Sequence, residues 1–227
     1  MTQKIKWTVD NNFLEPFVSA KNHIPNWYKE IEKYWQGELK FRNNRHNLSI
    51  KACHPFLNSF TTGYMVELQA DIQIKINKEK NEVQIEYLGE FEPFVNRGEN
   101  PGLTMPSLSG FSLVGLAWCF PYHLELPKNY SMLITHPLNN FDLPFFTLSG
   151  IVDSFMYPGR LPFLLKDDWE GVISKGTPIC QIIPFKTEEW VKVEDRNLNI
   201  RSNKFKSIMS STINKKYWKK SLKKSFE

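Results

Sequence analysis

FSLVGLAWCFPYHLELPKNYSMLITHPLNNFDLPFFTLSGIVDSFMYPGRLPFLL, residues 111–165, is the stretch that decides the fold. Its apolar segments are short, and Pro121, Pro127, Pro137, Pro144, Pro158 and Pro162 interrupt any helical period before it is established. Proline fixes its own φ and lacks the amide proton that a helix interior needs, so a chain punctuated this way builds short strands between turns. Strands are expected near 112–120, 130–135, 145–153 and 161–166, and another at 179–185 after the connection KDDWEGVISKGTP. The run PICQIIP (178–184) is apolar on both faces except for Gln181, the pattern of a strand flanked by others on either side.

Upstream, Val66, Leu68, Ala70, Ile72, Ile74 and Ile76 alternate with Glu67, Gln69, Asp71, Gln73 and Lys75, which predicts one long strand with a dry and a wet face. After the polar break NKEKN, Val83, Ile85 and Tyr87 alternate with Glu82, Gln84 and Glu86, so residues 65–88 read as an antiparallel hairpin. Further upstream the period is helical: Trp27, Ile31, Tyr34 and Trp35 share one face, with Pro25 in the first turn and Gly37 as a stop, giving a helix within 20–37. At the other end, Phe205, Ile208, Met209, Ile213, Tyr217 and Trp218 recur every three or four residues and define an amphipathic helix with a Lys-rich back.

The expected fold is therefore mainly β: a barrel or sandwich of short strands with an N-terminal helix, a long hairpin and a basic C-terminal helix. Residues 1–195 form one domain in this reading, and 196–227 a tail. The formal charge of +5 divides along the same line. Residues 196–227 hold ten Lys/Arg and one acidic residue, a net +9, which leaves 1–195 with 19 basic and 23 acidic groups, a net −4. The basic surplus thus belongs to the tail, where Lys215, Lys216, Tyr217, Trp218, Lys219 and Lys220 suit contact with nucleic acid or an acidic protein, or docking on the acidic body. Neither a membrane span nor a secretory signal is expected. Cys53, Cys119 and Cys180 are far apart and without a CxxC pair, as suits thiols in a reducing cytosol.

Candidate chemistry is sparse. No phosphate-cradling GxxxxGK[ST], dinucleotide-binding GxGxxG or nucleophile-elbow GxSxG occurs, and the five His are scattered, so neither a cofactor nor a metal is expected. In THPLNNFDLPFF, His136, Asn139, Asn140 and Asp142 gather polar groups between two apolar strands. They can hold a small ligand, with Gln181 as a further polar group, or simply cap a turn.

GIVDSFMYPG (150–159), the strand 161–165 and ISKGTPICQIIP (173–184) resemble motifs of the dUTPase and dCTP deaminase superfamily. The resemblance implies a β-clip fold, Asp153 as a general base orienting a water, Tyr157 as a wall against a sugar, and, as in those enzymes, a homotrimer. The turn is one residue longer here, however, its second Asp is replaced, and residues 130–150 contain no Arg or Lys to hold phosphate. A wider resemblance runs through IPNWYKEI (24–31), Cys53, Pro55, Gly63 and Tyr64, PKNYS (127–131), THPLN (135–139), LSGIVD (148–153), KGTPICQIIPF (175–185) and KKYWKK (215–220). Together these resemble an uncharacterised family encoded by tailed phages of marine bacteria, with related domains in bacteria. That likeness implies a viral origin, located in the host cytoplasm or on the virion, and no activity. The leading expectation is a non-catalytic binding or assembly module. A nucleotide hydrolase centred on Asp153 is the alternative, and a barrel binding a metal or small ligand through His136 the second.

Overall fold

The structure is a computed structural model and describes residues 3–9, 15–33, 49–77, 82–97, 108–111, 115–153 and 159–195. Tyr34, Trp35, Tyr157 and the whole segment 196–227, including Lys215 to Lys220, lie outside the described residues.

The alternating sequence is realised as antiparallel pairing in every described sheet. A five-stranded sheet runs in the order β11 (Gly150–Asp153), β9 (Tyr130–Thr135), β14 (Pro178–Lys186), β3 (Tyr64–Glu67) and β2 (Val18–Ser19). The apolar run 178–184 thus occupies the central strand that its two-sided apolarity predicted. A four-stranded sheet is ordered β10 (Phe145–Thr147), β12 (Arg160–Leu165), β7 (Leu116–Cys119) and β6 (Phe94–Asn96). The expected hairpin is formed by β4 (Asp71–Asn77) and β5 (Glu82–Leu88), and β13 (Gly171–Ile173) adds to its β4 side. Finally β1 (Lys6–Val9) pairs with β8 (Tyr122–Glu125). The protein is mainly β, with two short α-helices among the described residues, α1 (Asn26–Glu30) and α2 (His54–Thr61).

One core joins these sheets. Val66, Met132, Ile134, Cys180 and Ile182 from the five-stranded sheet are buried with Leu116, Trp118, Phe145, Phe163 and Leu165 from the four-stranded one and Ile72, Ile74 and Ile173 from the hairpin sheet. Trp118 stacks on Phe163 at 3.7 Å between ring centroids, and its indole N–H donates to Thr147 Oγ1 at 2.9 Å. The Thr147 hydroxyl in turn donates to the Ile179 carbonyl at 2.6 Å, so a buried polar chain ties one sheet to the other with its donors satisfied.

Four expectations need correction. The alternating run 65–76 is two strands in two sheets: at Leu68 the backbone leaves the ladder, donating to the Thr177 carbonyl and accepting from the Gly176 amide, both at 2.8 Å. Residues 145–153 likewise divide between β10 and β11, because the Leu148 amide bonds to the Pro162 carbonyl before the chain crosses to β9. The N-terminal helix is shorter than predicted. A 3-10 turn, Ala20–His23, precedes the five-residue α1, and Ile31 is already extended. The segment 166–178 is more than a connection, since β13 lies within it. Helix α2 was not anticipated; its signals were Pro55 in the first turn and the i, i+4 pair Phe56 and Phe60.

Candidate functional site

The outer face of the five-stranded sheet carries Gln181 and, at its edge, Asp153, and the turn that holds His136 and Asn139 follows directly from its strand β9. Directly opposed residues of paired strands point to the same face, so the register assigns each to a row. Gln181 pairs with Thr135 on one side and Met65 on the other, and Thr135 meets Ser149 through a 2.7 Å hydroxyl contact. Two residues along, Ile183 pairs with Leu133 and Leu133 with Ile151. Two further along, Phe185 pairs with Ser131 and Ser131 with Asp153.

The first row is covered. Thr135, Gln181 and Met65 are buried, and the Gln181 side chain is the clamp. Its Nε2 donates to the carbonyls of Ser59 (2.9 Å) and Thr62 (2.6 Å) at the end of α2, while its Oε1 accepts from the Leu138 amide at 2.9 Å. Asn139, held at φ 57°, donates from Nδ2 to Ser59 Oγ at 2.8 Å. Asparagine tolerates this left-handed conformation better than other side chains, which is why the turn can aim it back at α2. His136 closes the same turn. The Thr147 amide donates to its Nδ1 at 3.3 Å, and its Nε2 lies 3.0 Å from the Asn140 carbonyl, which requires the neutral ring with its proton on Nε2. Burial pushes the His136 pKa down, and the nearby Lys166 charge acts in the same direction, against the hydrogen bond to Asn140. His136, Asn139 and Gln181 are thus brought together, with both ring nitrogens of His136, the Nδ2 of Asn139 and the whole amide of Gln181 engaged by the chain itself. Asp142 stands apart on the exposed side of the turn.

The remaining two rows are more open, although Ser131 in the middle of the second is buried. Ile151 is 68% exposed and Phe185 36%, while Leu133 and Ile183 are half-buried, and none of the four belongs to the core. Asp153 is exposed at the end of the edge strand β11, where its Oδ1 accepts from Ser131 Oγ at 2.9 Å. That hydroxyl also meets Thr187 Oγ1 at 2.8 Å. Asp153 lies opposite Ser131, whereas His136 follows the far end of the same strand, five residues on. At the usual strand rise the two are roughly 16 Å apart along β9, so the carboxylate and the histidine turn do not form one constellation.

No protein-family model and no curated protein matches this chain. The assignment therefore rests on its own side chains. Among the described residues no group of three or more His, Cys, Asp or Glu is placed to hold a metal, and no helix is long and apolar enough to cross a membrane.

Sequence reading missed one polar cluster. His23 Nε2 lies 2.5 Å from Glu67 Oε1, with both side chains largely buried. Beside them, the Tyr122 hydroxyl donates to the Glu15 carbonyl at 2.5 Å and lies 3.5 Å from Gln69 Nε2. Burial, and secondarily the Glu67 charge, raises the Tyr122 pKa. Burial likewise raises that of Cys180, which is therefore a core thiol and no nucleophile. His23 and Glu67 sit 44 positions apart in different elements, and no spacing motif links them.

Proposed function

We propose that this chain is a non-catalytic binding or assembly module whose contact surface is the open half of the five-stranded sheet. The observation that carries this reading is the contrast within one face. The polar residues that a ligand site would use are consumed by internal hydrogen bonds, while Ile151, Leu133, Ile183 and Phe185 present a continuous apolar strip. Further along the chain, after the end of β14, Trp190, Val191 and Val193 are 87%, 84% and 79% exposed. Isolated exposed apolar side chains are ordinary, but a contiguous group on a flat sheet face marks an interaction surface. The resemblance to a tailed-phage family supports placing the module in an infected host's cytoplasm or on a virion.

A second reading, nucleotide hydrolysis, is favoured by one observation: Asp153 is an exposed carboxylate oriented by the Ser131 hydroxyl. The two readings separate in a single assay. Incubation with a panel of deoxynucleoside triphosphates and Mg²⁺ is expected to give no turnover above buffer. Hydrolysis that disappears in Asp153→Asn would overturn the non-catalytic reading.

A further inference from the structure

Among the described residues, the open half of the five-stranded sheet ends in an unpaired edge. β11 is its outermost strand, joined to β9 from Gly150↔Ile134 to Asp153↔Ser131 without a shift of register. Which of its backbone groups face outward follows from one bond. The Thr187 amide donates to the Asn129 carbonyl at 2.8 Å, and these residues stand directly opposite each other when the β14–β9 register is continued by one. Hydrogen-bonded and non-hydrogen-bonded pairs alternate along an antiparallel ladder, so Ser131, Leu133 and Thr135 also bond to β14, and Met132 and Ile134 bond to β11. Pro184 fits this phase: it stands opposite Met132, in a pair that asks no amide of it. Gly150 and Val152 are therefore the residues of β11 that bond to β9, and Ile151 and Asp153 turn their amides and carbonyls outward.

Such an edge is a template for another strand, and proteins usually blunt it with Lys, Pro, a bulge or short length. Gly150–Asp153 has no Lys, Pro or bulge, and its Ile151 side chain is exposed. By contrast β2, β6, β10 and β13 have at most three residues, and β5 carries Glu82 and Glu86.

The residues of β11 also select its partner. Laid antiparallel to itself about a two-fold axis at Ile151, the strand sets Ile151 against Ile151, where the pair exchanges both backbone bonds, and Asp153 against Ser149 of the second copy. Ser149 is exposed, and its hydroxyl meets Thr135 Oγ1, which can donate to it and leave the Ser149 proton for a carboxylate. Centring the axis on Gly150 or Val152 sets Ile151 against Ser149 or Asp153, and centring it on Asp153 sets two like charges face to face, which is destabilising. Only at Ile151 does the apolar row Ile183, Leu133, Ile151 run on through its copy without a polar break.

We propose that β11 pairs antiparallel with β11 of a second copy, centred on Ile151, to give a two-fold dimer with one continuous ten-stranded sheet, five strands from each copy. This pairing rests on the reading of the sheet's open half as a contact surface and gives that surface its partner.

Sedimentation of the full chain from about 5 to 500 µM is expected to show monomer passing to dimer, since one strand pair is a small interface. Over the same range the Ile151 and Asp153 amides should slow at least about tenfold in hydrogen exchange, while those of Gly150 and Val152, already bonded to β9, change little. Ile151→Pro removes an outward amide without touching the β9 ladder and should weaken dimerisation at least about tenfold. Ile151→Lys, which keeps the amide but places a charge on the edge, should do the same, and Phe185→Ser, two strands from the edge, should change it less than about threefold. Urea unfolding of each variant checks that the fold is kept. A natural chain that stays monomeric overturns the pairing, as does a trimer, or a dimer that both Ile151 variants leave intact. If Phe185→Ser dissolves that dimer instead, the copies meet face to face: the contact surface stands and the edge pairing falls. Nucleotide turnover that is lost in Asp153→Asn, in a chain that still dimerises through Ile151, overturns the non-catalytic reading and leaves the pairing in place.

Discussion

The two halves of one sheet face behave as different materials. On the covered half, Met65, Gln181 and Thr135 are buried, and both the Nε2 and the Oε1 of Gln181 are bonded, the former to the end of α2. On the open half, two and four residues further along the same strands, Leu133, Ile151, Ile183 and Phe185 stay outside the core. The β14–β9 pairing runs in unbroken register through both. The difference lies in what crosses over the sheet, and it teaches that a polar residue on a face is no better a sign of function than an apolar one. Gln181 and His136 were candidates for ligand binding by residue type, yet both serve to fasten α2 and the 136–140 turn to the sheet. The apolar strip, which residue type alone would assign to the core, is the part of the face left accessible.

The sharpest way to break the comparison is at Gly63, where the chain passes from α2 into β3 at the boundary of the two halves. Gly63 has φ 79°, and a Cβ there would lie 2.0 Å from the Ile182 carbonyl oxygen. Gly63→Val forces β3 away from β14 as well as imposing a left-handed conformation on a branched side chain. It is expected to cost more than about 4 kcal/mol, enough to abolish soluble expression or cooperative urea unfolding. Next in size is Gln181→Leu, which keeps the volume but leaves the Leu138 amide and the Ser59 and Thr62 carbonyls without their partner. A loss of about 2–4 kcal/mol in urea unfolding is expected, and a loss below about 0.5 kcal/mol would mean that α2 is held by its aromatic contacts alone.

A smaller effect follows from His136. Its folded pKa lies below the ordinary 6.5 because burial disfavours the charged ring. Between those two values the unfolded chain binds the proton and the folded chain does not, so stability falls as pH drops through 6.5 toward the folded pKa and is level again below it. Unfolding midpoints measured across this range should slope downward with acid, and the slope should flatten in His136→Gln. The smallest effect belongs to the open half. Ile151→Ser removes a side chain that is mostly in water already, and stability should change by no more than about 0.5 kcal/mol. A loss as large as that of Gln181→Leu would show that something in the free protein already covers the strip.

Much of the fold could be read from pattern. The two-sided apolarity of 178–184 put β14 in the middle of its sheet, the short apolar segments between prolines located β9 and β12, and alternation found the β4–β5 hairpin. Alternation failed where the chain changes sheets without changing rhythm. Leu68 and Ala70 continue the period of Val66 and Ile72, yet the Leu68 backbone is bonded to the turn at 176–177, so one apparent strand serves two sheets. Helix α2 was overlooked because its eight residues are too few for periodicity to stand out. The site was less legible still. His23 with Glu67, and Tyr122 with Glu15, join elements 44 and 107 positions apart.

What the sequence determined by itself is local and periodic: which residues share a face, that 178–184 is an interior strand, that the tail carries a surplus of positive charge. A side chain's period is fixed by its own backbone, so neighbours in sequence suffice to reveal it. Only the tertiary structure decided which polar groups are spent and which surface is left. Gln181 bonds to Ser59, 122 positions away, and no local pattern encodes a partner brought in by the folding of an entire intervening sheet.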